Sequence, residues 1–293
     1  MCKETLQFVG DGLGTPEQSL FFQTLAKHIR KRKPHRHGTW VLFNTPSFPT
    51  GHLLVPKNAQ PVLDLSWLMR RMIEKIPALP FVAPFALFIA LLGLKDIAPI
   101  APALEYPIRV SCVSVAIWLF SRRAIDWRVS RFWQSAAVGV AVFMIWVGPD
   151  ILWNGYHNQA LFRNSLLGSP ASSIPQSLRS GWAFLAFRVL GTAIVVPIIE
   201  ELFWRVWLMR YLIAVDFTTI PLGSYAPFAF WCTAVLFATE HGSYWDVGLA
   251  AGIVYNCWML RNRSMADCMI AHGITNLCLA TYVVAFQQWQ YWL

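Results

Sequence analysis

Charge is what this chain has least of. Asp, Glu, Lys and Arg make up 13% of its 293 residues, where soluble domains carry about 25%. The cysteines Cys2, Cys112, Cys232, Cys257, Cys268 and Cys278 form no CxxC pair, and all but the first lie in or beside apolar sequence. A disulfide framework or a cysteine-based zinc site is therefore not expected. The zinc-helix pattern His-Glu-x-x-His is missing, as is any internal repeat. No apolar core opens the first stretch, which thus does not read as a secretory signal peptide.

What fills the chain is apolar. Hydrophobic residues reach 56%, with 15 tryptophans, and the mean hydropathy is +0.45. This composition predicts an all-α, polytopic integral membrane protein with the lipid bilayer as its solvent. The formal charge of +9 does not point to nucleic acid, because the Lys and Arg sit in short segments between apolar runs.

Residues 1–66 differ from the rest. A basic cluster from Lys27 to His37 is followed by Pro- and Gly-punctuated sequence. We read this stretch as a disordered cytoplasmic extension, with contact to anionic lipid as the functional alternative. Met69-Arg70-Arg71-Met72 could also be the natural start. The membrane domain spans 67–293. Seven apolar segments follow, roughly Leu79–Leu94, Ile108–Phe120, Trp133–Leu152, Trp182–Ile199, Phe228–Glu240, Val247–Leu260 and Ala266–Phe286, giving about seven to eight transmembrane helices. Arg70, Arg71 and Lys75, the Arg122–Arg131 cluster, Arg210, and Arg261 with Arg263 alternate with loops poorer in basic residues. This pattern puts the N-terminus in the cytoplasm.

One stretch organises the chain: Ile198 to Met209, Ile-Ile-Glu-Glu-Leu-Phe-Trp-Arg-Val-Trp-Leu-Met. Helical neighbours diverge by about 100°, so Glu200 and Glu201 cannot share a face. Glu201 and Arg205, at i,i+4, can pair, which leaves Glu200 without a local partner in apolar surroundings. Two further polar points supply candidates: Phe237-Ala-Thr-Glu240-His241 and His272-Gly-Ile-Thr-Asn276. Polar groups in a bilayer must satisfy one another, so an intramembrane polar cavity is expected. A carboxylate beside an imidazole can hold and deprotonate water, and a second imidazole with an amide can donate to an oxyanion if protonated at the donating nitrogen. Equally, Glu200, His241 and His272 are acceptable zinc ligands with a fourth position for water. Glu240 adds an acid that either faces an aqueous mouth or acts as a second base, and Phe237 reads as packing. Arg188, three turns before Glu200, is placed to line the same cavity.

Glu200-Glu201-x-x-x-Arg205, Phe237-x-x-x-His241 and His272-x-x-x-Asn276 resemble the three motifs of the CAAX prenyl protease 2 family, the type II CAAX endopeptidases and their bacterial CPBP relatives. The resemblance covers about 182–286. It implies an α-helical membrane bundle whose cavity hydrolyses a peptide bond near the C-terminus of a membrane-associated protein or peptide. It implies that Glu200 and His241 activate water, that His272 and Asn276 form the oxyanion site, and that Glu201 and Arg205 support the cavity or hold substrate. It implies no metal, with zinc or another divalent ion as the alternative. The layout of the first half resembles the exosortase-associated subgroup, which implies a bacterial cell membrane. A non-catalytic scaffold or immunity protein and a proton-relay transporter are the competing readings.

Overall fold

The computed structural model describes residues 65–94, 100–164 and 167–292. The expected extension over 1–66 lies outside the described residues, except where the first helix begins. Each of the seven apolar segments is a helix. In chain order the helices are α1 (Leu65–Lys75), α2 (Leu79–Leu94), α3 (Pro102–Ser121), α4 (Phe132–Leu152), α5 (Trp182–Tyr211), α6 (Pro227–Thr239), α7 (Trp245–Asn262) and α8 (Met265–Phe286). No strand occurs among the described residues.

By length and hydropathy α3, α4, α5 and α8 can each cross a membrane, and α1 with α2, bent by 102°, make a fifth candidate. Seven to eight spans are not reached on this measure. The reasons are local: α6 has only 13 residues, and α7 dilutes its apolar run with Asp246, Asn256, Arg261 and Asn262. The bend falls at Pro77, where ring closure removes a backbone donor. Pro102 and Pro227 instead sit in the first turns of α3 and α6, where that donor is not needed.

Small residues set the helix spacing, as expected where lipid gives no hydrophobic drive between helices. Gly139 of α4 faces α8 so closely that a Cβ there would come within 2.4 Å of the Ala271 carbonyl oxygen. Thr275 Oγ1 donates to the Gly139 carbonyl across the same seam, at 2.8 Å. The α8 N-terminus is capped by Ser264, and the Asp267 carboxylate beside it accepts from the Ser130 and Arg131 amides, tying the α3–α4 loop to α8. In α5, π-helical turns at Gly191–Val195 and Leu202–Leu208 bracket the stretch containing Glu200. Such turns rotate the faces before and after them.

Candidate active site

Glu201 and Arg205 are one turn apart on α5 and both wholly buried, at 0% exposure. Arg205 Nη1 donates to Glu201 Oε1 at 3.1 Å, as the i,i+4 spacing predicts. The guanidinium also donates through Nε to Asn256 Oδ1 at 3.1 Å and lies 4.3 Å from the Phe237 ring centroid. Asn256 Nδ2 then donates to the Phe230 carbonyl at 2.9 Å. One ion pair thus links α5, α6 and α7. Isolated buried charges are costly, and this network supplies the partners. Phe237 stacks against charge as well as apolar neighbours.

Glu201 Oε1 accepts a second bond, from His272 Nδ1 of α8 at 2.9 Å. A carboxylate accepts here, so Nδ1 carries the proton. The other face of the imidazole turns to Glu200, whose Oε2 is 3.8 Å from Nε2, beyond hydrogen-bond reach. Glu200 Oε2 is buried and has no hydrogen-bond partner among the described residues. Tyr255 stacks on the His272 ring, centroids 4.9 Å apart, and its hydroxyl donates to Thr275 at 2.7 Å. The two adjacent glutamates therefore diverge as helix geometry requires: Glu201 is held through Oε1 by Arg205 and His272, its Oε2 making no hydrogen bond, while Glu200 turns its unbonded Oε2 toward the other side of the His272 ring.

His241 stands just beyond the end of α6. Its Nδ1 lies 2.9 Å from the Phe237 carbonyl. A carbonyl only accepts, so Nδ1 carries hydrogen and the neutral ring keeps its lone pair on Nε2. The Trp146 ring packs at 5.0 Å, and Gly248 of α7 lies beneath, where an added Cβ would come within 2.9 Å of Nδ1. Asn276 Nδ2 donates to the Thr192 carbonyl at 2.8 Å, leaving its second N–H. Glu240 is exposed and accepts from Trp204 Nε1 at 3.1 Å, which puts it at the mouth.

Glu200, His241, His272 and Asn276 all line one cavity of about 260 Å³, with Glu240 and Arg188 also in its wall. Its apolar side comes from Phe85, Phe88, Ile89 and Leu92 of α2. A larger hollow of about 490 Å³ between α5 and α8 is lined by apolar residues and offers nothing that could move a proton. Among the described residues no group of three or more His, Cys, Asp or Glu is placed to hold a metal ion.

Sequence reasoning missed Asn256, Tyr255 and Trp204. Asn256 had a signal, being an amide in an apolar run. Tyr255 and Trp204 had none, because aromatic residues are abundant throughout the chain.

The described helices, apolar on their outer faces and gathered around buried carboxylates and imidazoles, define a multi-pass membrane protein with an internal polar site. Residues 181–278 match the family model described as type II CAAX prenyl endopeptidase, Rce1-like. That stretch contains all three motifs, Glu200 to Arg205, Phe237 to His241 and His272 to Asn276, and the family is one of membrane proteases. No curated protein and no solved structure matches the chain.

Proposed function

We propose that this protein is an intramembrane endopeptidase that hydrolyses a peptide bond near the C-terminus of a membrane-associated protein or peptide. The observation that carries this reading is that Glu200 Oε2, with no hydrogen-bond partner among the described residues, shares one cavity with His241, whose Nε2 holds the ring's lone pair. Two acceptors with free valences around one space can hold a water and take its proton as its oxygen attacks the carbonyl carbon.

The tetrahedral oxyanion then needs donors. Asn276 offers its second N–H. His272 donates from Nε2 only as the imidazolium, since Nδ1–H is already given to Glu201. The proton taken from water passes to the leaving amine, and the C–N bond breaks. Glu201 and Arg205 act as the buried frame, and Glu240 marks the water-facing mouth. No step is routed through a metal. The exosortase-associated subgroup, a bacterial cell membrane and a cytoplasmic N-terminus belong to this proposal and rest on resemblance and charge placement.

The test is cleavage of a peptide panel by purified protein in detergent, comparing wild type with Glu200→Gln and His241→Ala, with and without chelator. Cleavage lost in both variants and kept with chelator supports the reading. Activity lost on chelation and restored by zinc overturns the metal-free mechanism. Unchanged biological activity in Glu200→Gln points instead to a scaffold.

A further inference from the structure

A third histidine, His157, is buried and lies outside the three motifs. It sits in the loop after α4, is 2% exposed, and uses both ring nitrogens. Nδ1 bonds Asp150 Oδ2 of α4 at 2.8 Å, and Nε2 bonds Asp246 Oδ1, in the first turn of α7, at 3.1 Å. Its backbone amide also donates to Asp150 Oδ1 at 3.2 Å. Asp150 accepts in addition from the Tyr291 hydroxyl at 2.9 Å. Tyr291 and its neighbour Trp292 belong to the wall of the candidate cavity.

Two contact paths run from this cluster to His241. The Tyr244 ring lies 4.4 Å from His157, Trp146 stacks with Tyr244, and Trp146 meets His241 at 5.0 Å. The second path follows α7: Asp246 holds its first turn, and Gly248, two residues on, packs directly against the His241 ring. Between them, the short turn Gly242–Tyr244 connects His241 to α7, with the Tyr244 amide donating to the His241 carbonyl at 2.9 Å.

We propose that His157 is a positioning residue for His241: bridging Asp150 and Asp246, it locks the end of α4 to the start of α7 and so fixes the turn that carries His241. The catalytic consequence rests on the endopeptidase reading; the structural consequence does not. With both nitrogens on carboxylates, the bridge is complete only when the imidazole carries two protons. Burial alone would discharge the ring, but the bonds to Asp150 and Asp246 outweigh it and hold its pKa up at about 9. The other titratable groups facing the ring are Tyr156 in its own turn, Tyr244, and Tyr291 through Asp150.

Hydrogen exchange of the full chain in detergent tests the structural step. Losing a bond to a charged group raises local opening roughly tenfold or more. In His157→Gln, which cannot bridge both carboxylates, exchange at the His241 and Tyr244 amides should rise by about that factor, with α8 amides unchanged. Asp246→Asn keeps an acceptor oxygen and should give a smaller rise; it also serves if His157→Gln fails to fold. Cleavage kinetics test the second step: kcat falls with KM unchanged, and the wild-type loss of kcat as pH passes about 9 is absent in His157→Gln. Unaltered exchange at His241 and Tyr244 in both variants overturns the proposal, and so does a change in KM alone. If wild type cleaves no peptide, the endopeptidase reading fails while the exchange result still decides whether His157 positions the turn.

Discussion

His157 and His272 are both buried histidines between two carboxylates, and their second nitrogens differ. At His157 the two contacts are 2.8 and 3.1 Å, so nothing is left over. At His272 they are 2.9 and 3.8 Å, so one nitrogen and one carboxylate oxygen stand apart across a cavity. The first arrangement is closed and ties elements together. The second is tied on one side by Glu201 and open on the other toward Glu200. A group that has spent all its bonds can only hold; chemistry needs a valence kept in reserve, supported by neighbours that do not move.

Breaking the open side should have the largest effect. Glu200→Gln keeps shape but removes the proton acceptor, and the peptide-cleavage rate should fall by about 10²–10⁴-fold. Thermal unfolding in detergent should be unchanged or slightly higher, because an unpartnered buried carboxylate is lost. A large drop in stability together with activity would mean that Glu200 is a structural partner like Glu201.

Breaking the tied side should do the reverse. Arg205→Met leaves the Glu201 charge at 0% exposure with only the neutral His272 ring as donor and should destabilise by about 3–5 kcal/mol. The double variant Glu201→Gln with Arg205→Met should recover much of that loss, since the cost lies in the uncompensated charge. Equal unfolding of the single and double variants would show that packing of Arg205 on Phe237 matters more than its charge.

A smaller effect is expected where the two regions meet. Gly248→Ala places a Cβ within 2.9 Å of His241 Nδ1. Overpacking of this kind costs about 1–3 kcal/mol, and here it displaces the ring that holds the lone pair. Activity should fall further than stability alone explains. Full activity in a folded Gly248→Ala protein would show that the position of His241 is not critical.

How much of this was legible beforehand follows the same division. The seven apolar segments and the Glu201–Arg205 pair follow from local periodicity and became helices and an ion pair as read. Glu200's lack of a local partner was also visible, because i,i+4 geometry is a property of the chain alone. His157 was not singled out: it lies in a loop whose Pro, Ser, Gly and Asn content conceals structure, and its partners are 7 and 89 residues away. Asn256 stands out as an amide in an apolar run, but its partner Arg205 is 51 residues away and local spacing does not reveal the pair. The π-turns of α5 leave no mark in hydropathy, yet they sit on either side of Glu200.

The pH dependence of stability gives the mildest test of the closed histidine. The folded pKa of His157 is raised to about 9 from an ordinary 6.5. Its contribution is therefore fully present below pH 6.5 and is lost as pH rises through about 9, since the unfolded chain binds fewer protons across that window. The slope is at most about 1.4 kcal/mol per pH unit. Wild-type unfolding midpoints in detergent should decline across that range, and His157→Gln should flatten this part of the curve. A variant curve parallel to wild type would mean that the Asp150–His157–Asp246 bridge does not depend on the second proton, and that His157 holds α4 to α7 as a neutral ring.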